Sequence, residues 1–402
     1  MRTKKKWKQI LKKILLLTVP SLLFCLILLE IVFRFVIPAD NPPAWYFDEA
    51  EKLLRYDPAA GEGLKTAGRF AEIRARWRIN NMGWNSPIDY SPRRDNKLIA
   101  VIGDSYVEAL QVDVGRNYPY LLREKLQPEY DVYAFGMSGA PLSQYLHVSR
   151  YVGRQFQPDV LIFNLIHNDF NESLRSLWPE YYFFLQLAVD ETGAVREIPP
   201  TPILRRAQYR PWWQKQLLHS ALFRYLHFNL DMVHSLQRIF HSNAPSEASG
   251  EILSAGLVET NSPDGSAGKN HTSAPAKSAP DQADGWEKRI QGERNDIFQA
   301  ARYVVEAVRR ENPERRIIFV MDAPRPAMYD GSEKSSSIWW MNEMMRELCA
   351  AAGVEFIDLT EFLQTDYRLH GKRFEFTIDG HWNAYGHQRI AEILHEHIRK
   401  NQ

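Results

Sequence analysis

The chain has 402 residues and a hydrophobic content of 45%, enough to bury a large core in one large domain or two smaller ones. Its formal net charge of +1 gives no global field that would attract nucleic acid, and no basic patch interleaved with aromatic residues occurs in the body of the chain. We therefore expect no nucleic-acid partner. The two cysteines, Cys25 in an apolar run and Cys349 in a helical stretch, form no disulfide framework.

The N-terminal sequence predicts a membrane anchor. Residues 1–13 carry seven basic residues and no acidic one, and they lead into an apolar stretch, residues 14–37. The only charged residues of this stretch are Glu30 and Arg34, which stand four apart and can pair on a helix near the far interface. A spanning helix needs about 20 apolar residues, so residues 14–37 are predicted as a transmembrane helix.

The flanks of this helix predict its orientation and fate. The basic residues 1–13 are predicted as a cytoplasmic tail, because cytoplasmic flanks are rich in Lys and Arg. The apolar stretch is longer than that of a cleaved secretory signal, and no Ala-x-Ala site follows it. We expect an uncleaved, single-pass anchor in a bacterial inner membrane, with the remainder of the chain in the periplasm or otherwise outside the cytoplasm.

The body of the chain shows a strand and helix alternation. Residues 38–96 are mixed in character and are predicted as an extracytoplasmic lead-in of short strands and turns. From residue 97 onward, five unbroken apolar runs alternate with amphipathic helices, which is typical of a parallel sheet covered on both faces. The predicted strands are 98–103, 131–136, 159–166, 316–322 and 354–359, and the predicted helices are 118–126, 143–156, 296–310, 338–353 and 384–400. Residues 97–402 are therefore predicted as a doubly wound α/β domain.

A long insertion, residues 170–292, interrupts this domain between its third and fourth strands. The first part is rich in aromatic residues and Leu, and we expect it to pack as helices over one edge of the sheet. The second part, residues 242–285, has few large apolar residues and cannot bury enough surface to offset its ordering entropy. This second part is predicted to be disordered.

Candidate catalytic residues follow the predicted strands, since ligands of open α/β sheets bind at the carboxyl ends of strands. Ser105 follows the first strand, and a serine hydroxyl needs a base within hydrogen-bond reach to act as a nucleophile. Asp379 and His381, directly before the last helix, can supply an oriented imidazole base. The backbone N–H groups of Ser105 and Gly139 and the amide of Asn168 are candidate oxyanion donors.

Other residues near these strand ends have less specific signals. Gly136 and Gly139 would let the backbone approach the substrate closely. Asp104 is predicted to hydrogen-bond the turn rather than to act as a second acid, and His387 to be a packed or surface residue. A two-metal phosphoesterase has comparable Asp-x-His, Gly-Asp and Asn-Asp pairs, but its Asp-x-His opens the domain, whereas here it comes last. Neither a metal ion nor a cofactor is therefore expected.

Together these residues resemble, in order and position, the four blocks of the SGNH/GDSL hydrolase superfamily: Ser105 in GDS, Gly139 in FGMSGA, Asn168 in HND and the Asp379/His381 pair. The final DGHWNAYGH resembles the membrane-anchored branch linked to envelope polysaccharides, such as alginate O-acetylation proteins. The resemblance implies a flavodoxin-like α/β/α sandwich. It also implies Ser105 as nucleophile and oxyanion donor, Gly139 and Asn168 as oxyanion donors, Asp379 as orienter and His381 as base.

Three positions and one spacing depart from the superfamily pattern. Tyr106 stands where the block has Leu, Ile166 stands two before Asn168 where Gly is expected, and Ala134 replaces the Asn that often opens the second block. The Asp-x-His spacing is shorter than the usual Asp-x-x-His, and the shorter form also occurs in the polysaccharide-linked branch.

The expected function is serine-dependent hydrolysis or transfer of an acyl group, with acetyl favoured, on an O-acylated envelope or exported polysaccharide. Hydrolysis and transfer use the same serine, so the sequence leaves both open. Envelope polysaccharide machinery is the expected partner. The alternative is a non-catalytic protein that keeps the fold and serves as a scaffold or glycan-binding subunit of an export complex.

Overall fold

The computed structural model describes residues 12–202, 216–230, 232 and 292–400. The chain divides into two compact units. The larger unit takes residues 43–63, 75–208 and 250–402, and the smaller unit takes residues 1–42, 64–74 and 209–249. Residues 38–96, predicted as one lead-in, are thus shared between the units, while the segment 242–285 that was predicted to be disordered lies outside the described residues.

A five-stranded parallel sheet forms the centre of the larger unit. Its strands, in spatial order, are β11 (Glu355–Asp358), β10 (Arg316–Met321), β7 (Val160–Leu165), β5 (Lys97–Gly103) and β6 (Tyr130–Gly136). Counted along the sheet's own strands this order is 2-1-3-4-5, the flavodoxin-like order, whose direction reverses between β5 and β7. The predicted fold class is confirmed.

Both faces of this sheet are buried, which explains why its strands are unbroken apolar runs. Along β5, Leu98, Ala100 and Ile102 belong to one hydrophobic cluster, whereas Ile99 and Val101 belong to a second cluster on the other face. Successive side chains of a strand point to opposite faces, so one apolar segment serves both layers. The result is a three-layer α/β/α sandwich.

The helices of the larger unit cover the two faces. On the first face lie α4 (Leu142–Gln155), α7 (Arg294–Glu311) and α9 (Trp339–Ala352), and on the second lie α3 (Tyr118–Leu126), α10 (Thr360–His370) and α11 (Ala384–Lys400). Five of these six were predicted from sequence to within two residues at each end, and α10 was not predicted. Three short helices start at strand ends: α2 (Ser105–Glu108), α5 (Asn168–Glu172) and α8 (Arg325–Asp330).

Short strands lie outside the central sheet. They are β1 (Trp45–Asp48), β2 (Leu53–Tyr56), β3 (Glu62–Ala67), β4 (Ile73–Arg78), β8 (Gln186–Val189) and β9 (Val195–Ile198). Strands β8 and β9 form an antiparallel hairpin where helices were expected. The reason is local turn chemistry, since the Asp190 carboxylate accepts hydrogen bonds from the backbone N–H groups of Thr192 and Ala194.

The smaller unit contains the apolar N-terminal helix. Among the described residues, one helix is long and apolar enough to cross a membrane, Ile14–Val36, with α1 (Val19–Ile31) between two π-helical segments, Ile14–Thr18 and Val32–Val36. The expected pair forms, with Arg34 Nη2 and Glu30 Oε1 2.5 Å apart.

A short helix of the same unit, α6 (Ala221–Arg224), meets this N-terminal helix. The Glu30 carboxylate accepts hydrogen bonds from Ser220 Oγ at 2.8 Å and from the N–H groups of Ala221 and Leu222 at 2.9 and 3.0 Å. Glu30 therefore satisfies donors at the start of α6 that have no acceptor within that helix.

Candidate active site

The nucleophile candidate stands at the carboxyl end of strand β5, which lies between β7 and β6 in the sheet. Asp104 directly follows the strand and caps α2, its Oδ1 accepting from the Tyr106 N–H at 2.9 Å. Ser105 is therefore the first residue of α2, with 8% of its surface exposed. Asp104 Oδ2 also lies 3.3 Å from Ser105 Oγ, and its bond to the Tyr106 N–H agrees with a role in the turn. This placement puts the Ser105 hydroxyl above the sheet edge where ligands of such folds bind.

His381 and Asp379 reach Ser105 from a loop before α11, 276 residues away in sequence. His381 Nε2 lies 2.7 Å from Ser105 Oγ, and His381 Nδ1 lies 2.5 Å from Asp379 Oδ1. The same Asp379 oxygen accepts from the backbone N–H of His381 at 2.8 Å. The three predicted side chains thus form one hydrogen-bonded chain, in which the carboxylate holds one imidazole nitrogen and leaves the other for the serine.

The loop bearing these two residues is folded back as a small hairpin. Glu375 and Trp382 form an isolated antiparallel bridge, and Asn383 Nδ2 donates to the Glu375 carbonyl at 2.8 Å. The buried Trp382 ring donates from Nε1 to Asp322 Oδ1 at 3.3 Å, which ties the hairpin to the end of β10. Asp322 is therefore occupied in holding this loop.

Glu108, which was not predicted from the sequence, holds the turn of the second block, FGMSGA. Its Oε1 accepts from the Ser138 N–H at 3.1 Å and from Tyr56 Oη at 2.6 Å, and its Oε2 accepts from Ser138 Oγ. Burial raises the pKa of this carboxyl. Glu108 lies on the nucleophile's helix, so it joins the Ser105 turn to the turn that carries Gly139.

Gly136 and Gly139, the two glycines of the second block, have different structural roles. Gly139 has a φ of +73°, a conformation that residues with a Cβ rarely adopt, so the turn at the end of β6 needs glycine there. Gly136 makes room for protein instead, because a Cβ at this position would lie 2.1 Å from the backbone nitrogen of Glu108. The expectation that Gly136 lets the backbone approach the substrate is thus corrected, since its open side faces α2.

Asn168, the remaining oxyanion candidate, is the first residue of α5 after β7. Its Nδ2 donates to Glu172 Oε1 at 3.0 Å, which uses one of its two amide hydrogens and leaves the other available. Burial raises the pKa of Glu172 to about 8, so this carboxyl holds its proton at neutral pH. Asn168, Ser105 and Gly139 thus follow three neighbouring strands of the sheet, β7, β5 and β6.

Two further buried carboxyls lie near the nucleophile. Burial raises the pKa of Asp104 to about 6, while its hydrogen bond from the Tyr106 N–H and the nearby His381 act in the opposite direction. Burial also raises the pKa of Asp169 well above its usual range, and its Oδ2 accepts from the Ile166 N–H and Tyr145 Oη, each at 2.8 Å. Buried carboxyls around one strand end are typical of functional clefts as well as of structural networks.

The other histidines near the site have structural partners. His387 is buried, its Nδ1 accepts from the Tyr118 N–H at 3.3 Å, and burial lowers its pKa to about 3, so of the two predicted alternatives it is a packed rather than a surface residue. His167 Nε2 lies 2.9 Å from Asn342 Oδ1. Neither contact competes with His381 for the serine.

Of the residues that hold the site, Glu108, Glu172 and Arg325 were not predicted. Glu172 stands four residues after Asn168, a spacing that places two side chains on one face of a helix, and Glu108 stands three after Ser105. Both spacings could have been used to identify Glu172 and Glu108 from the sequence. Arg325 stands three after its ion-pair partner Asp322, but its other hydrogen-bond partners, Tyr106, Glu375 and Gly380, come from distant parts of the chain and give no such signal. Within the described ranges, no group of three or more His, Cys, Asp or Glu side chains is arranged to hold a metal ion.

The sequence matches no family model and no curated protein. Solved structures with a remote likeness include the following three. A member of the lipolytic G-D-S-L family from Veillonella parvula is 10% identical, with 75% of this chain and 97% of that chain covered at a TM-score of 0.35. The native M. smegmatis aryl esterase is 14% identical, with 76% and 99% covered at 0.31. A two-domain esterase active on acetylated mannans is 9% identical, with 76% and 49% covered at 0.37.

Proposed function

We propose that the protein is a serine-dependent ester hydrolase or acyltransferase of the SGNH/GDSL type. The observation that carries the proposal is the unbroken hydrogen-bonded chain from Ser105 Oγ through His381 to Asp379, at 2.7 and 2.5 Å. Distances in this range are those that a nucleophile needs from its base, and a base from its orienting group. The chain lies at the carboxyl edge of a parallel sheet, where such folds bind their ligands.

The first half of the reaction acylates the serine. Ser105 Oγ attacks the ester carbonyl carbon while its proton passes to His381 Nε2, and Asp379 stabilises the imidazolium that forms. The carbonyl oxygen becomes an oxyanion, for which the N–H groups of Ser105 and Gly139 and the second amide hydrogen of Asn168 are the donors. The C–O bond to the alcohol then breaks, His381 returns the proton to the departing alkoxide, and an acyl-Ser105 ester remains.

The second half reverses these roles. A water molecule or a sugar hydroxyl gives its proton to His381 Nε2 and attacks the acyl carbon. The bond to Ser105 Oγ breaks, and Oγ takes the proton back. Water releases a carboxylic acid, whereas a sugar hydroxyl yields a new ester, so the nature of the acceptor alone separates hydrolase from transferase.

For the substrate we propose an O-acylated, most simply O-acetylated, envelope or exported polysaccharide, with envelope polysaccharide machinery as partner. The support is the resemblance of DGHWNAYGH to the polysaccharide-linked branch and the N-terminal helix Ile14–Val36, which is long and apolar enough to hold the enzyme at a membrane. We place residues 1–13 in the cytoplasm and the catalytic domain outside it, because the basic flank favours that orientation.

Labelling of the full-length protein with a serine-reactive fluorophosphonate tests the reaction class. We expect one covalent adduct, detected by mass, that is lost in Ser105→Ala and retained in the control Ser332→Ala, since Ser332 is exposed and lies outside the site. A folded wild-type protein that takes no label would favour the non-catalytic scaffold instead.

Hydrolysis of p-nitrophenyl acetate tests the base. Removing one member of such a triad leaves little more than the contribution of the oxyanion hole and binding, so His381→Ala should lower kcat by at least about 10³-fold. Activity near the wild-type value in His381→Ala would show that the base is another residue. Acetate release from an O-acetylated polysaccharide, compared with acetyl transfer to an added oligosaccharide, then identifies the physiological acceptor.

A further inference from the structure

Tyr106, the residue that departs from the GDSL pattern, reaches from the nucleophile's turn to the loop that carries the base. It directly follows Ser105, and its Oη donates to the carbonyl oxygen of Gly380 at 2.8 Å. Gly380 stands between Asp379 and His381, so this hydrogen bond joins the first and last blocks of the site through one side chain. A leucine at position 106 could not make it.

Arg325, from α8 after strand β10, completes the contact. Its Nη2 donates to Tyr106 Oη at 2.6 Å and to the Gly380 carbonyl at 2.7 Å. The Gly380 carbonyl therefore accepts two hydrogen bonds, one of them charge-assisted, and a carbonyl with both lone pairs engaged has a defined orientation. Segments that follow two strands, β5 and β10, thus meet the loop before α11 at this one peptide.

The guanidinium of Arg325 is itself held in place. Only 9% of Arg325 is exposed, its Nε donates to Asp322 Oδ2 at 3.1 Å, and its Nη1 donates to Glu375 Oε2 at 3.2 Å. Tyr329 Oη donates to the same Glu375 oxygen. A buried arginine paired with two carboxylates is costly to leave unpaired, so its fork has little freedom to turn away from Gly380.

The aromatic ring of Tyr106 also touches the base. Its centroid lies 4.9 Å from that of the His381 imidazole and 4.9 Å from that of the Trp382 indole, the latter at 84° in an edge-to-face arrangement. Tyr106 thus contacts the base by its ring and the preceding peptide by its hydroxyl.

The tip of the loop it holds, around Gly380, has little packing of its own. Gly380 is exposed, Ile378 is 48% exposed, and a Cβ built on Gly380 would meet no atom of the described residues within 4 Å. Position matters here, since a misplacement of about 1 Å at a catalytic group can cost roughly 10²-fold in rate.

We propose that Tyr106 and Arg325 are positioning residues, which fix the Gly380 peptide and through it hold the His381 imidazole against Ser105. This inference rests on the proposed function, since it assigns a role within the same reaction.

The kinetic test compares Tyr106→Phe with wild type in the full-length protein, using p-nitrophenyl acetate. The variant keeps the ring and loses only the hydroxyl, so we expect kcat to fall about 10- to 100-fold, as a small displacement of the base would cause, while KM changes less than about 3-fold. Arg325→Lys keeps the charge but not the fork, and should lower kcat similarly. Because both act on one peptide, the double variant should lose less than the product of the two single losses.

The matched control is Tyr90→Phe. Tyr90 is also buried and its Oη also bonds a backbone carbonyl, that of Ala134 at 3.0 Å, in the core and away from the loop. We expect Tyr90→Phe to lower the midpoint of thermal unfolding as much as Tyr106→Phe does, with kcat unchanged. Equal kcat values for Tyr106→Phe and wild type, or equal losses for both Tyr→Phe variants, would overturn the proposal.

A spectroscopic measurement separates this proposal from the catalytic one. In wild type we expect a low-field proton resonance from the imidazole N–H shared with Asp379, assigned by its loss in His381→Gln. In Tyr106→Phe this resonance should shift upfield or broaden, whether or not the protein turns over an ester. An unchanged resonance contradicts the positioning role, whereas wild-type protein that shows the resonance but takes no fluorophosphonate contradicts only the proposed reaction.

Discussion

At the scale of single residues, Glu172 couples the oxyanion candidate Asn168 to pH. The carboxyl is buried beneath the site, and its Oε1 accepts from the Asn168 amide while its Oε2 has no hydrogen-bond partner among the described residues. Burial raises its pKa from 4.5 to about 8, an effect that the Asn168 hydrogen bond opposes and that nearby Asp104 and Glu180 reinforce. A neutral, protonated carboxyl is therefore the form that the fold accommodates.

Stability should depend on pH through this carboxyl. Between pH 4.5 and about 8 the unfolded chain releases the proton while the folded chain retains it, so the free energy of unfolding falls as pH rises. Glu172→Gln keeps an acceptor for Asn168 and removes the titration. We expect the unfolding midpoint of Glu172→Gln, measured relative to that of wild type, to rise steadily from pH 5 to pH 8.

The control for this series is Glu191→Gln, which removes the same charge from an exposed turn. Its offset from wild type should stay constant over that range. A Glu172→Gln protein whose unfolding midpoint follows wild type in parallel at every pH would mean that the carboxyl is ionised in the folded protein.

At the scale of elements, the nucleophile's helix α2 sits directly on strand β6. A Cβ at Gly136 would lie 2.1, 2.6 and 2.8 Å from backbone atoms of Glu108 and Val107, and backbone cannot rotate away as a side chain can. The position of Ser105 thus depends on a missing side chain in the neighbouring strand.

Gly136→Ala should therefore displace α2. Overpacking of this kind costs about 1–3 kcal/mol, so we expect a fall of several degrees in the unfolding midpoint together with loss of fluorophosphonate labelling. Gly115→Ala is the matched control, since a Cβ there meets no atom of the described residues within 4 Å. Labelling at the wild-type rate in Gly136→Ala would show that α2 tolerates the shift.

At the scale of the whole molecule, the N-terminal helix has specific partners within the smaller unit. Glu30 accepts three hydrogen bonds at the start of α6, Arg34 Nη2 donates to the His219 carbonyl at 2.8 Å, and the rings of Phe33 and Tyr225 stack with centroids 3.8 Å apart. Cleavage after this helix would leave these donors and this ring without their partners. We therefore propose a retained anchor rather than a cleaved signal.

Expression of the full-length chain in a bacterial host tests retention. We expect an intact N-terminus by mass spectrometry and a protein that stays in the membrane pellet after alkaline carbonate extraction, because an apolar helix of this length is anchored by the hydrocarbon core. A mature N-terminus close after residue 37, with the protein in the soluble fraction, would mean that the segment is a cleaved signal.

The sequence by itself determined the fold class, the parallel sheet and most helix bounds. The reason is that the hydrophobic periodicity of a helix and the unbroken apolar run of a buried strand are local properties, which can be recognised without knowing the elements they pack against. It also pointed to Ser105, Asp379 and His381, since strand ends converge in such sheets; their catalytic roles stay predictions. Only the tertiary structure decided that Glu108, Glu172 and Arg325 hold the site and that Gly136 makes room for α2. The spacings of Glu172 from Asn168 and of Glu108 from Ser105 are local signals, but the burial, charge pairing and close approach that give these residues their roles involve elements far apart in sequence, which no local pattern encodes.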